Sequence, residues 1–464
     1  MRGGLLLAGL ALLSGCASFS PDGGFDRVQA IAQERVGVQP QRIADEDKAD
    51  RVAAEVRRLL AAPLTADTAV RIALMNNRGL QAQFAELGIA EAELVQAGRP
   101  RNPGFTYGRF TQGDEREYER GFLFDLMWLL TLPARSEIEQ RRFAQTQLQV
   151  AGEVLSLAQA TRQAWFSAVA AQQTVRQLEE AVAAARAGAE LATRMAETGN
   201  FSRLRQQREQ LLYAELAAEL ARAHLTAVRE REALTRLLGL TGGQRDYVLP
   251  ERLPELPAAP RDEPEIVRLA MESRLDVRMA REALAGLARN LGLTRSTGFI
   301  NVLEVGWLNT TSNEAPVKRG YEIELRLPIF DWGQARTARA EALYTQALHR
   351  VAAIAVEAQT EVVVAYTTYR TAYDLARHYR DEILPLRQRI AEEGLLRYNG
   401  MLASVWDLLA DARQRIQGEQ AATLALRDFW LAETQLQMAM NGKGASGFVL
   451  SGGMPAAEPA GKGH

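Results

Sequence analysis

One pattern runs through this chain twice, displaced by about 200 residues, and a repeat of that length limits what the chain can fold into. Val70-Arg71-Ile72-Ala73-Leu74 returns as Val267-Arg268-Leu269-Ala270-Met271, and Asn77-Arg78-Gly79-Leu80 falls on Arg274-Leu275-Asp276-Val277. Leu132-Pro133 matches Leu327-Pro328 at the exit from a strand-like stretch, and the turn Gly199-Asn200 matches Asn399-Gly400. Two alanine-rich coiled coils can look alike by chance. Chance does not also put strand pairs and turns in one register, so the chain is two copies of one unit.

Each unit opens on a helix. Thr65 or Asp67 can cap the first. Its apolar residues Ala69, Val70, Ala73, Leu74, Leu80, Phe84, Leu87 and Leu94 recur at three- and four-residue spacing. Gly98, Pro100 and Pro103 stop it. The period then drops to two. Phe105, Tyr107 and Arg109 share one face of a strand, Gly113-Asp114 makes a turn, and Phe122, Phe124, Leu126, Trp128 and Leu130 alternate through a second strand. Pro133 ends that strand, and no proline follows until Pro250. The intervening sequence predicts two helices, 134–198 and 202–240. At 1.5 Å per residue the first would reach about 100 Å. Helices of that length belong to coiled coils or helical barrels. Gly239, Gly242, Gly243, Pro250, Pro254, Pro257 and Pro260 punctuate a linker.

The second unit repeats the order, with strands over 299–309 and 320–330 and helices over 334–399 and 403–441. Pro385 should kink the longer helix. The expected divisions are a signal at 1–15 and a tether at 16–62 that wraps the body. A first repeat then covers 63–260, with strands near 104–111 and 119–132 and a hairpin at 134–240. A second covers 261–441, and a glycine- and alanine-rich tail covers 442–464.

The last strand carries membrane chemistry. Tyr321, Ile323, Leu325, Leu327 and Ile329 occupy one face, and Glu322, Glu324 and Arg326 the other. Apolar outside and charged inside suits a lipid-facing wall around a wet lumen. Four strands cannot close alone, because an open edge in hydrocarbon leaves unpaired N–H and C=O groups costing several kcal/mol each. Closed barrels need at least about eight strands, so further copies must complete the wall.

The N-terminus is a targeting segment. Arg2 precedes the apolar run Leu5–Leu13, which is too short to span a bilayer, and the run ends in Leu13-Ser14-Gly15-Cys16. That ending looks like a bacterial lipobox, with cleavage before Cys16 and acylation of its thiol. Cys16 is the sole cysteine, so no disulfide forms within one chain and no cysteine metal cluster exists. Ala17 and Ser18, with no aspartate, resemble the sorting signal for the outer membrane. A net charge of -2 gives no basic footprint for nucleic acid. There is no nucleophile elbow, zinc histidine pair, phosphate loop or dinucleotide fingerprint, so neither enzyme activity nor a cofactor is expected.

From Pro63 to Asn441 the chain resembles the TolC-like outer membrane efflux proteins. The resemblance is carried by Ala69-Val70 through Asn77, by Gln96-Ala97-Gly98 to Asn102-Pro103, by Leu327-Pro328-Ile329-Phe330-Asp331-Trp332-Gly333, and by Tyr398-Asn399-Gly400 to Asp407-Leu408-Leu409-Ala410-Asp411-Ala412. It implies a homotrimer whose strands form a twelve-stranded outer-membrane β-barrel, continued by a periplasmic α-helical barrel closed at its tip. A periplasmic adaptor and an inner-membrane pump would dock below. The hairpin tips at Gly199, Asn200, Asn399 and Gly400 would meet the adaptor. Asp407 and Asp411 would form the gate, their spacing of four placing them on one helix face. The family commonly spaces its two acids by three. Arg203 and Arg205 in the first hairpin would face a neighbouring protomer's carboxylate.

Plainer readings attach to the remaining features. Asp407 and Asp411 also suit carboxylates that stabilise a helix start. His224, His349 and His378 suit surface or interface positions, and Met401 suits packing better than a thioether metal site. Trp128, Trp307 and Trp332 suit interfacial anchors, and Trp406 and Trp430 suit the core. The alternatives to an efflux duct are a periplasmic coiled-coil adaptor and, within the channels, a protein-secretion duct. An adaptor flanks one hairpin with soluble β-domains, whereas this chain has two hairpins and membrane-type strand pairs.

Overall fold

The computed structural model describes residues 18–262, 265–298, 302–326 and 329–442. Cys16, Leu327 and Pro328 lie outside the described residues. About 72% of the described residues are helical, and they hold one antiparallel sheet. The elements are α1 (Phe25–Val36), α2 (Glu46–Leu60), α3 (Ala66–Asn76), α4 (Arg78–Ala97), β1 (Gly104–Gln112), β2 (Glu115–Asp125), α5 (Leu126–Glu197) and α6 (Arg203–Leu238) in the first half. The second half holds α7 (Ile266–Ser273), α8 (Leu275–Ser296), β3 (Leu303–Ser312), β4 (Lys318–Leu325), α9 (Gln334–His378), α10 (Leu384–Asn399) and α11 (Val405–Asn441).

The sheet runs β1-β2-β3-β4, every neighbour antiparallel. Below it α5 and α9 run down the molecule, and shorter helices stack beside them. Near the sheet α4 packs on α5, and α8 packs between α5 and α9. Farther down, α6 packs on α5, α5 on α11, and α11 on α9 and α10. Each level is therefore a layer of four helices. Helix α6 buries only Leu234, Thr235 and Leu238, and α10 buries nothing, so these helices form the free edges of the layer.

Several elements differ from the sequence-based expectation. The strand expected over 119–132 ends at Asp125, and Leu126 to Leu132 are helical. The Asp125 side chain accepts the Trp128 N–H at 2.8 Å and starts α5 there. Alternation and helical burial are hard to tell apart over so short a run. Pro133 then lies inside α5. At the other end Ile329 and Phe330 lie beyond β4, which stops at Leu325. Asp331 accepts the Gly333 N–H at 2.8 Å in a tight turn instead of extending the strand. The opening helix is broken in two at Asn77, whose side chain caps α4 through the Leu80 N–H at 3.0 Å. Pro385 follows a π-turn over Tyr379–Ile383, and the wider turn carries the helix past a residue with no N–H to give.

From Ser18 onwards the N-terminal segment lies on the body. Helix α1 places Phe25, Val28 and Ile31 against Leu148, Val154 and Leu155 of α5. Val52 and Val56 of α2 join Leu64, Trp165 and Phe166. The linker after α6 also packs inward, burying Tyr247, Leu249 and Leu253. The Tyr373 hydroxyl donates to the Ala258 carbonyl at 2.9 Å, holding the linker against α9.

Candidate functional site: a two-faced sheet and two hairpin tips

The strand registers divide the sheet into two chemically opposite faces. One face carries a row across all four strands, Phe105, Phe122, Trp307 and Tyr321. All four are exposed, Tyr321 at 80%. Phe124, Val305 and Ile323 form the next row towards the helices, with Leu303 and Leu325 beyond. This is an apolar band open to its surroundings, of the kind that faces lipid.

The other face carries the acids. Glu115, Glu117, Glu119, Asp125, Glu304, Glu322 and Glu324 all fall on it, and Asp125, Glu304 and Glu324 stand in one row. Arg326 donates to Glu324 at 3.3 Å. Glu322 and Glu324 therefore belong to a wider acidic wall. The acids on β2 and β3 were legible only once the pairing was known, because a face spanning four strands is not a pattern in one segment. The same face carries Gly108, Gly121 and Gly306. A Cβ on Gly121 would stand 2.5 Å from Thr106 Oγ1 and 2.9 Å from Leu308 Cδ2. At Gly121 and Gly306 the acidic face is crowded, whereas the aromatic face is exposed.

At the junction with the helices, the Arg101 and Arg135 guanidiniums each lie 4.3 Å from the Trp128 ring, one in the strand approach and one on α5. The Trp128 indole N–H donates to the Arg99 carbonyl at 3.0 Å. Among the described residues no helix is long and apolar enough to cross a membrane.

The hairpin tips lie at the far end. In the first tip Gly199 has φ +77, and the Asn200 N–H returns to the Met195 carbonyl at 2.8 Å. In the second, the same bond runs from the Leu402 N–H to the Arg397 carbonyl at 2.8 Å. The left-handed position is then Met401, with φ +61, while Gly400 has φ −79. The expected match of Gly199-Asn200 to Asn399-Gly400 is therefore shifted, and Met401 is the counterpart of Gly199. Met401 is 94% exposed, contrary to the packing expected of it.

Asp407 closes a capping box with Ser404. The Ser404 N–H and hydroxyl donate to Asp407 Oδ2 at 2.9 and 2.7 Å, and the Asp407 N–H donates to Ser404 Oγ at 3.3 Å. The Ser404 hydroxyl, and then its backbone N–H, hold the Asp407 carboxyl below its ordinary range. Asp411 lies elsewhere. Its Oδ2 stands 2.7 Å from where a Cβ on Gly394 would be, so it faces α10 within the hairpin. The two tips are joined by the Phe201 and Trp406 rings, stacked at 4.6 Å, and by Arg413 donating to Glu209 at 2.5 Å. Trp406 therefore packs between the tips, and Trp430 stacks on Phe166 at 5.2 Å beside the linker. His224 and His378 are exposed beside Glu179 and Glu382. No group of three or more potential metal ligands occurs among the described residues.

No protein-family model matches the chain, and no curated protein matches it in sequence. Solved structures do match in fold. VceC, an outer membrane protein of Vibrio cholerae, shares 15% identity over 84% of this chain and 96% of its own, with a TM-score of 0.67. The open state of the MtrE outer membrane channel of Neisseria gonorrhoeae shares 17% over 83% and 89%, at 0.66. CusC, described in terms of transmembrane channel formation, shares 18% over 81% and 92%, also at 0.66. These neighbours are TolC-family channels with a β-barrel continued by an α-helical barrel. The chain has the fold of the TolC-like outer membrane channels.

Proposed function

We propose that this protein is the outer-membrane exit duct of a tripartite efflux system, assembled as a homotrimer and passively conducting small molecules or ions. One observation carries the reading: the protomer is open at both edges on every level. Among the described residues no strand lies beside the outer edges of β1 and β4. Below them α6 exposes Leu211, Leu225 and Val228, and α9 and α10 expose Val356, Val363, Val364 and Ile390. Further copies laid edge to edge would satisfy both layers at once, removing unpaired backbone from lipid and apolar side chains from water. The count of three comes from the fold family.

In this arrangement the aromatic face meets lipid and the acidic face lines the lumen, which favours cations. Acylated Cys16 anchors the chain in the outer membrane of a Gram-negative bacterium, with the helices in the periplasm. The tips at Gly199, Asn200, Asn399 and Gly400 dock a periplasmic adaptor carrying an inner-membrane pump. Asp407 is the better gate residue, since it is exposed at the tip whereas Asp411 faces α10. Symmetry-related copies of Asp407 would gather like charge at the closed end.

The test is single-channel conductance of the detergent-extracted protein in a planar bilayer, with native mass measured alongside. A trimer with small cation-selective conductance that rises in Asp407→Ala supports duct and gate. A water-soluble monomer that never inserts removes the duct and favours the adaptor. A conducting trimer indifferent to Asp407→Ala keeps the duct and discards the gate.

A further inference from the structure

The charges of the sheet are sorted beyond what a wet lumen requires. Arg109, Arg116, Arg120 and Arg319 all fall on the aromatic, outward face, and that face carries no acid on any strand. They occupy consecutive rows between the aromatic row and the hairpin turns, at the end of the sheet remote from the helices. Arg120 and Arg319 flank Asn309 in the row above Tyr321. Arg109 pairs with Tyr118 one row higher, its guanidinium 5.9 Å from the ring. Arg116 follows nearest the turn.

All four side chains are exposed, and among the described residues none lies in an ion pair. The strands do not lack carboxylates. They hold them on the opposite face, out of reach of these guanidiniums. A band of uncompensated arginines directly above an apolar band is costly in hydrocarbon and favourable at a headgroup layer. Guanidinium forks match phosphate oxygens bidentately.

We infer that Arg109, Arg116, Arg120 and Arg319 form a binding band for anionic phosphate headgroups of lipid in the leaflet at the hairpin-turn end of the sheet. The inference rests on the sheet being the wall of an outer-membrane barrel. Charge complementarity selects the occupant: a docked protein would have to supply acids at the depth of a headgroup layer, where lipid phosphate already stands. The aromatic row below anchors the acyl boundary, and the arginines grip the phosphates above it.

The test uses the full-length lipidated protein in detergent. Native mass spectrometry counts molecules of a bisphosphorylated, acylated disaccharide lipid retained per assembly as its concentration rises. Arg120→Gln/Arg319→Gln should raise the half-saturating concentration roughly thirtyfold, and the fourfold Arg→Gln variant should abolish specific retention. Glu117→Gln/Glu119→Gln, on the opposite face, should leave it unchanged. The phosphate-free form of the same lipid should bind wild type no better than the fourfold variant. Equal retention by wild type and the fourfold variant overturns the inference, as does inorganic phosphate binding as tightly as the lipid. Conductance is read separately. Loss of lipid with conductance intact supports the band, and lipid retention without conductance removes the duct while leaving the band.

Discussion

In the first half of the molecule α6 ends against two asparagines, and in the second α11 ends against a serine and a buried arginine. Asn76 donates to the Leu238 and Gly239 carbonyls at 2.9 and 2.8 Å, and Asn77 to the Leu237 carbonyl at 2.9 Å. At the equivalent junction Ser273 Oγ donates to the Met440 carbonyl at 3.1 Å and Arg274 Nη1 to the Ala439 carbonyl at 2.5 Å. The task is the same in both: the last carbonyls of a return helix have no partner within the helix and need donors from the short helices stacked on them. A neutral amide does this with no further requirement. A guanidinium does it only with counter-charges, and Arg274, 2% exposed, has Asp276 at 2.6 Å and Glu361 at 2.9 Å. The repeat preserves geometry and lets the chemistry drift.

Arg274→Met separates the two junctions most strongly. It strands two carboxylates in a partly buried site and leaves the Ala439 carbonyl without its donor. The expected loss is about 3–5 kcal/mol, read from the urea midpoint. Adding Asp276→Asn and Glu361→Gln should recover much of it, because the largest penalty is uncompensated charge. If the single variant loses less than Asn77→Ala, the buried charge is not what holds the second junction.

Asn77→Ala tests the first junction. It removes the cap on the Leu80 N–H and the donor to the Leu237 carbonyl together, but leaves no charge behind. A loss of about 1–2 kcal/mol is expected, well below that of Arg274→Met. Hydrogen exchange should report it as faster opening at the start of α4 and the end of α6.

The repeat, the strand faces and the long hairpins were legible in the sequence because each is periodic. What was not legible depended on single contacts. Nothing in the spacing around Asn77 distinguishes a helix that continues from one recapped by an asparagine side chain. Asp125 likewise starts α5 inside an alternating run that suits a strand equally well. The acid and arginine faces of the sheet were half visible. Glu322, Glu324 and Arg326 alternate within one strand, but their alignment with Glu304 and Asp125 is a property of register. The shift of the second tip was hidden by composition, since Gly400 is the residue a left-handed position would ordinarily take and Met401 is not.

The two tips differ at their left-handed positions. Gly199 holds the left-handed position of the first tip without strain, and Met401 holds it in the second with a Cβ. Met401→Gly should therefore stabilise the second hairpin by about 1 kcal/mol. The check is the midpoint of the helical unfolding transition against wild type. No gain would mean that the exposed methionine has a partner in the assembly that offsets its backbone strain.

The last contrast is electrostatic. Ser202 caps the first return helix with its hydroxyl alone, through the Arg205 N–H at 3.4 Å. Ser404 caps the second in a reciprocal box with Asp407. Because the folded Asp407 carboxyl titrates below its ordinary value of 3.8, its contribution is complete above that value. It is lost as pH falls through the lower folded value, when the protonated carboxyl no longer accepts from Ser404 as strongly. Amide protection at the start of α11 should therefore drop on acidification below about 4, while protection at the start of α6 stays level. Asp407→Asn should flatten the pH profile of the second tip. If Asp407→Ala raises conductance and leaves that protection unchanged, the carboxylate acts through the charge it shares with neighbouring copies. If both change together, the cap itself holds the tip closed.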